Sequence, residues 1–131
     1  SEKNEFISHL YISPSLMPDE HNPGFRIYKF DKDTYEILDY DQYYISLEEL
    51  NDGRQVDFKK IYSCNEYYNM KDQSTDSWVR LYKNMTMDNV TADKYCTMYS
   101  YTGIDQKCID PKSYLCDIAF INKTADSVCD S

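Results

Sequence analysis

Two histidines, five cysteines and a scatter of paired aspartates are the residues of this chain that could do chemistry. His9 and His21 are too few for a dinuclear metal site, which needs several His and Asp side chains converging on the ions. His9 falls inside an apolar, β-branched run and reads as a packed or hydrogen-bonded residue. His21 sits in a proline-bounded loop and reads as exposed or loop-bracing. The pairs Asp31/Asp33 and Asp39/Asp41 invite a calcium reading, but an EF-hand loop needs Gly at its sixth place and Glu at its twelfth. Starting at Asp31, those places hold Glu36 and Gln42; starting at Asp39, the last ligand is Leu50. A solvated strand face accounts better for these acids. Glu48 and Glu49 beside Ser46 read as first-turn capping, not as an acid/base pair. A cysteine nucleophile wants a thiolate beside a histidine. Cys64, on a helix-like stretch, reads instead as a buried or bridged thiol. With three glycines and no G-x-S-x-G, P-loop or G-x-G-x-x-G, the chain carries no complete catalytic set.

The other cysteines, Cys96, Cys108, Cys116 and Cys129, lie together near the C-terminus without a C-x-x-C spacing. That pattern suits disulfides better than zinc, and the odd count leaves one thiol over or pairing outside this chain. Three N-x-[ST] sequons, at Asn84, Asn89 and Asn122, agree with an oxidising, secreted or lumenal compartment. The formal charge of −9 over 131 residues argues against a nucleic-acid duplex or an anionic membrane as partner. No apolar run approaches the roughly 20 residues of a transmembrane segment. No signal peptide is visible, and Ser1 is not an initiator, so the chain reads as processed, tagged or excerpted.

The elements that would position these groups change in character along the chain. Glu5–Ser13 is dense in β-branched and aromatic residues and predicts a strand. Pro14, Pro18 and Pro23-Gly24 mark a loop. Residues 25–45 predict a β-hairpin: Arg26, Tyr28 and Phe30 alternate with Phe25, Ile27 and Lys29, and a polar turn follows at Asp31–Thr34. After Asn51-Asp52-Gly53 the pattern reads as helical to the end. Phe58, Ile61, Tyr62 and Tyr68 could share a face. Ser74 can cap a helix presenting Trp78, Leu81, Tyr82 and Met85, which is expected to be core. Asp88 can cap another with Ala92, Tyr95 and Met98 or Tyr99, stopping at Gly103. Asp110-Pro111 suits the start of a short helix through Phe120. Strands first and helices after give an α+β fold, divided as 1–50 and a helical, cysteine-containing 51–131.

Several ordered motifs carry a resemblance. Asn22-Pro23-Gly24-Phe25-Arg26-Ile27-Tyr28 follows a strand and a proline-rich loop. Ile37–Leu47 and Ser77-Trp78-Val79-Arg80-Leu81-Tyr82 come next, and Cys116 and Cys129 close the chain with twelve residues between them. This series resembles the C-terminal part of acid sphingomyelinase and the acid-sphingomyelinase-like phosphodiesterases.

The resemblance implies a secreted or lysosomal metallophosphoesterase with two zinc ions. Of its D-x-H, G-D, G-N-H and G-H-x-H ligand motifs, the last three are absent here. It therefore implies the part after the catalytic core: a last core strand and hairpin completing a metallophosphoesterase-type sheet, then a disulfide-stapled helical subdomain. No catalytic or metal residue carries over. The loop Ser15–His21 corresponds to a segment bordering the substrate site, so Ser15, Pro18, His21 and Asn22 are candidates for the substrate rim. The phosphodiester itself, sphingolipid or nucleotide, stays open. A Cys116–Cys129 bridge is implied, and Cys96–Cys108 is a further pairing with which Cys64–Cys96 competes. Phe6, Leu10 and Ile12 are expected to be exposed in the chain alone, since the sheet they would join is absent. The partner implied is the catalytic portion of the same protein. The alternative is a standalone secreted, non-catalytic binding or structural module descended from that domain.

Overall fold

The computed structural model describes residues 8–17, 21–101, 108 and 115, with the backbone alone for Ser100 and Tyr101. A three-stranded antiparallel sheet is built from β1 (Gly24–Phe30), β2 (Ile37–Tyr44) and β3 (Lys59–Ser63), in the order β1-β2-β3. The hairpin expected over 25–45 forms. Its turn is held by Asp31, whose carboxylate accepts from the backbone N–H of Asp33 at 2.8 Å and Thr34 at 3.0 Å. Register pairs Tyr28 with Tyr40 and Arg26 with Gln42, so these four side chains share one face. Tyr62 joins them opposite Gln42.

β3 departs from the helical reading of residues after Asn51. Ile61 and Tyr62 are spaced acceptably for a helix or a strand, and β-branched and aromatic residues favour a pleated surface. The free edge of β2 decides the matter by supplying ladder hydrogen bonds to Lys59–Ser63. Phe58, Ile61 and Tyr62 therefore do not share a helix face with Tyr68.

Residues 8–13, expected to continue a strand from Glu5, carry no strand in the structure. Their exposure still alternates, with His9 and Tyr11 half-buried and Leu10 and Ile12 outward. A period of two records which side chains face the core, but a strand also needs a neighbouring ladder. Among the described residues none flanks this segment.

The helices start where polar caps stand. Ser46 accepts from Glu49 N at 3.3 Å ahead of α1 (Leu47–Asn51). α2 (Cys64–Tyr68) ends on Asn69 in the left-handed region at φ 53°. Ser74 caps α3 (Thr75–Met87), accepting from Ser77 N at 3.3 Å. Asp88 precedes α4 (Asn89–Tyr101) and accepts from Val90 N and Thr91 N. The expected α3 face is core: Leu81 and Met85 are buried, with Trp78 and Tyr82 packed at its margin. Ala92 and Met98 are buried on α4. The core, joined by Tyr40, Tyr62, Cys64, Tyr68 and Leu115, lies between one sheet face and the helices.

Cys96 and Cys108 form a disulfide, while Cys64 is a buried free thiol, which excludes the competing Cys64–Cys96 pairing. The expected Cys116–Cys129 bridge, the Gly103 stop, the helix from Asp110-Pro111 and Phe6 lie outside the described residues.

Asp72 sharpens the start of α3. Its carboxylate accepts from Ser74 N at 3.1 Å, Ser74 Oγ at 2.5 Å and Ser77 Oγ at 2.6 Å. These bonds hold its pKa at about 2, below the ordinary 3.8. A depressed carboxylate pKa contributes stability that is present above the unfolded value and lost as pH falls through the folded one. Acid titration followed by circular dichroism should therefore show α3 loosening between roughly pH 4 and pH 2. D72N should flatten that part of the curve; an unchanged profile in the variant contradicts the assignment.

Candidate functional site

The rim candidates surround the turn that enters β1. Gly24 N donates to Ser15 O at 3.1 Å, and Ser15 Oγ accepts from Met17 N at 3.0 Å. Asn22 Oδ1 accepts from Leu47 N at 3.0 Å, and Ile45 N donates to Pro23 O at 3.0 Å. Asn22 thus ties the loop to the start of α1, and Ser15 ties it to β1. Three of the four candidates, Ser15, His21 and Asn22, fall on this loop, and His21 is exposed. Pro18 lies outside the described residues. Sequence reasoning did not single out Leu16 and Met17, which are exposed beside Ser15. Their lack of any alternation partner was the available signal. With Leu10 and Ile12, exposed as expected at 68% and 62%, they give this end an apolar edge.

Behind the rim stands an aromatic core. Tyr40 is 2% exposed, with Tyr28 at 5.5 Å, Tyr62 at 6.1 Å and Tyr11 at 6.2 Å between ring centroids. The Arg26 guanidinium lies 4.3 Å over the Tyr40 ring and donates from Nε to Gln42 Oε1 at 2.8 Å. Such a cation above an aromatic face is attracted by the ring quadrupole. Gln42 is buried and saturated, donating from Nε2 to Phe25 O and Tyr43 O. Tyr11 donates to Gln73 Oε1 at 3.0 Å, and Gln73 Nε2 donates to Asn65 Oδ1 at 2.6 Å. That chain links the N-terminal segment to α2 and to the turn ahead of α3.

Among the described residues, Cys64 and His9 are both packed rather than poised to react. Burial pushes the Cys64 thiol up, away from a thiolate, with Tyr40 and Gln73 beside it and no histidine. His9 Nδ1 sits 3.0 Å from Thr75 Oγ1, and burial lowers its pKa, in keeping with a packed residue.

Asp39 and Asp41 are not on a solvated strand face. Asp39 accepts from Asn65 N at 3.0 Å and so caps α2. Asp41 is buried and ties the three strands together. It takes Lys29 of β1 at 3.2 Å, and Lys60 at 3.2 Å and Ser63 at 2.6 Å from β3. Burial opposes its charge, but these bonds prevail and hold its pKa below the ordinary value.

Among the described residues no donor set fits zinc. No group of three His, Cys, Asp or Glu is placed to hold a metal among the described residues, and both aspartates are already engaged. A cleft lined by Tyr68, Lys71, Ser77, Arg80 and Asn84 holds about 30 Å³, room for water and not for a substrate. No described helix is long and apolar enough to cross a membrane.

The described residues therefore define an α+β region with an aromatic core and an apolar edge at one end. Residues 6–129 match the family described as the acid sphingomyelin phosphodiesterase C-terminal region, and the chain belongs to that family. Sphingomyelin phosphodiesterase A of Dictyostelium discoideum is 33% identical over 122 residues, 91% of this chain and 21% of that protein. Sphingomyelin phosphodiesterase 1 of Caenorhabditis elegans is 29% identical over 100 residues, 75% of this chain and 18% of that protein. The human cyclic GMP-AMP phosphodiesterase SMPDL3A is 26% identical over 107 residues, covering 76% of this chain and 23% of that protein. The chain spans about a fifth of the length of these relatives.

Proposed function

We propose that this chain is the C-terminal part of a sphingomyelinase-like phosphodiester hydrolase of a secreted or lysosomal compartment, not catalytic by itself. It braces the catalytic portion and shapes the substrate rim with Ser15, Pro18, His21 and Asn22. Zinc, implied by the family resemblance, belongs to that catalytic portion. The observation that carries the reading is the family match over residues 6–129, set against coverage of only about a fifth of each relative. Leu10 and Ile12 support an edge that joins the core sheet of the larger protein, because their exposed apolar side chains would be removed from water there. Leu16 and Met17 on the rim loop favour a diester carrying acyl chains over a nucleotide.

Native mass spectrometry of source material tests this, with zinc analysis and a bis-p-nitrophenyl phosphate assay at acidic pH on the same sample. The expected result is one species larger than this segment, bearing zinc and co-eluting with activity that prefers sphingomyelin to a cyclic dinucleotide. A chain running alone, metal-free and inactive overturns the reading.

A further inference from the structure

The tip of the β1–β2 hairpin holds a tyrosine where a glycine would be easier to place. Tyr35 lies in the left-handed region at φ 61°. A β-carbon crowds the backbone there, and only glycine sits without steric cost. The turn fixes that conformation: Tyr35 N donates to Asp31 O at 2.8 Å, and Asp31 N donates to Glu36 O at 2.8 Å. The side chain returns nothing to the fold. It is 78% exposed, and its ring and hydroxyl make no hydrogen bond or ring contact among the described residues. A side chain that strains the backbone and does not pack is free to serve something outside the molecule. Its neighbours narrow what that is. Asp31, Asp33, Glu36 and Asp39 stand within four residues of Tyr35, and Lys32 is the only base in that window. Lys32 is itself paired with Asp33 at 2.7 Å. Other tyrosines have one of these properties without the other. Tyr40 lies between Asp39 and Asp41 but is buried, and Tyr99 is 42% exposed with no acid within four residues. Among the described residues only Tyr35 is both exposed and flanked by acids.

We infer that Tyr35 is O-sulfated by a lumenal sulfotransferase that reads the acidic hairpin tip. The inference rests on the lumenal compartment in the proposed function. The donor is an adenine nucleotide carrying a phosphosulfate. An enzyme that holds so anionic a donor has a basic cleft, and the same charge attracts the tip. Tyr35 Oη attacks the sulfur and gives up its proton to a base of that enzyme. The bond from Oη to sulfur forms, the S–O bond to the nucleotide phosphate breaks, and the nucleotide leaves with the electron pair. Sulfur keeps its oxidation state, so no oxidant or reductant is needed. The sulfate monoester stays ionised at acidities where ordinary carboxylates take up protons, so the tip keeps a negative charge in an acidic lumen.

The test is high-resolution peptide mass spectrometry of the native full-length protein, digested without reduction and fragmented by electron transfer. The peptide carrying Tyr35 should gain the mass of SO3, placed on that residue, and an arylsulfatase should remove it. Y35F should lose the added mass and unfold at the same urea concentration as the unsubstituted protein, since the hydroxyl bonds to nothing among the described residues. D33N/E36Q should lower the sulfated fraction several-fold, with Asp31 left in place because its carboxylate holds the turn. Tyr35 bare, or carrying phosphate, with Cys96 and Cys108 recovered as a disulfide overturns the sulfation and leaves the lumenal reading standing. Tyr35 bare with both cysteines reduced overturns both.

Discussion

Tyr40→Ala should lower the unfolding free energy by about 3–5 kcal/mol, the range for deleting a large buried aromatic. Tyr40 is at the centre of the core, touching rings from the N-terminal segment, β1 and β3 at once. Its loss leaves a cavity bounded on several sides and takes away the ring beneath the Arg26 guanidinium. A half-buried cation without its aromatic face is harder to keep out of water. Tyr40→Phe separates the two contributions. It keeps the ring and the cation contact, losing only the hydroxyl beside Cys64, and should cost about 1 kcal/mol. Urea unfolding of the two variants checks this. Equal losses would mean that the hydroxyl, not the ring, is what the core depends on.

Cys96→Ser should cost about 3 kcal/mol, the expected contribution of a disulfide closing a short loop. The bond joins residues 12 apart and ties α4 to Cys108, just ahead of Leu115 in the core. Cys96→Ser and Cys108→Ser remove the same bond, so the double variant should be no less stable than either single one. Additive losses in thermal unfolding would show that the two sulfurs act separately.

The fold was legible in the sequence where a local rule and the tertiary environment agreed. Alternation over Phe25–Phe30 set the hairpin register, and with it the placing of Arg26 on the same face as Tyr28. Ser46, Ser74 and Asp88 announced helix starts because a cap is satisfied by the backbone a few residues on. β3 was not legible, since Lys59–Ser63 takes its strand form from the edge of β2, more than a dozen residues earlier. The segment 8–13 failed in the opposite sense: its alternation was right, but the ladder that would make it a strand was not there to be read. At the candidate site, the loop could be located from its prolines and its resemblance. The work of Asp41 could not, because its partners Lys29, Lys60 and Ser63 meet only once three strands are side by side.

The buried Cys64 has a consequence for how the chain matures. An odd sulfur is a hazard during oxidation, since any thiolate can attack a bond already made and shuffle it. Cys64 is fully enclosed at the start of α2, and its proton is held tightly by the surrounding burial. Once the sheet and α2 have closed, it drops out of thiol–disulfide exchange. The tyrosine core thereby shields the Cys96–Cys108 bond from attack by this thiol.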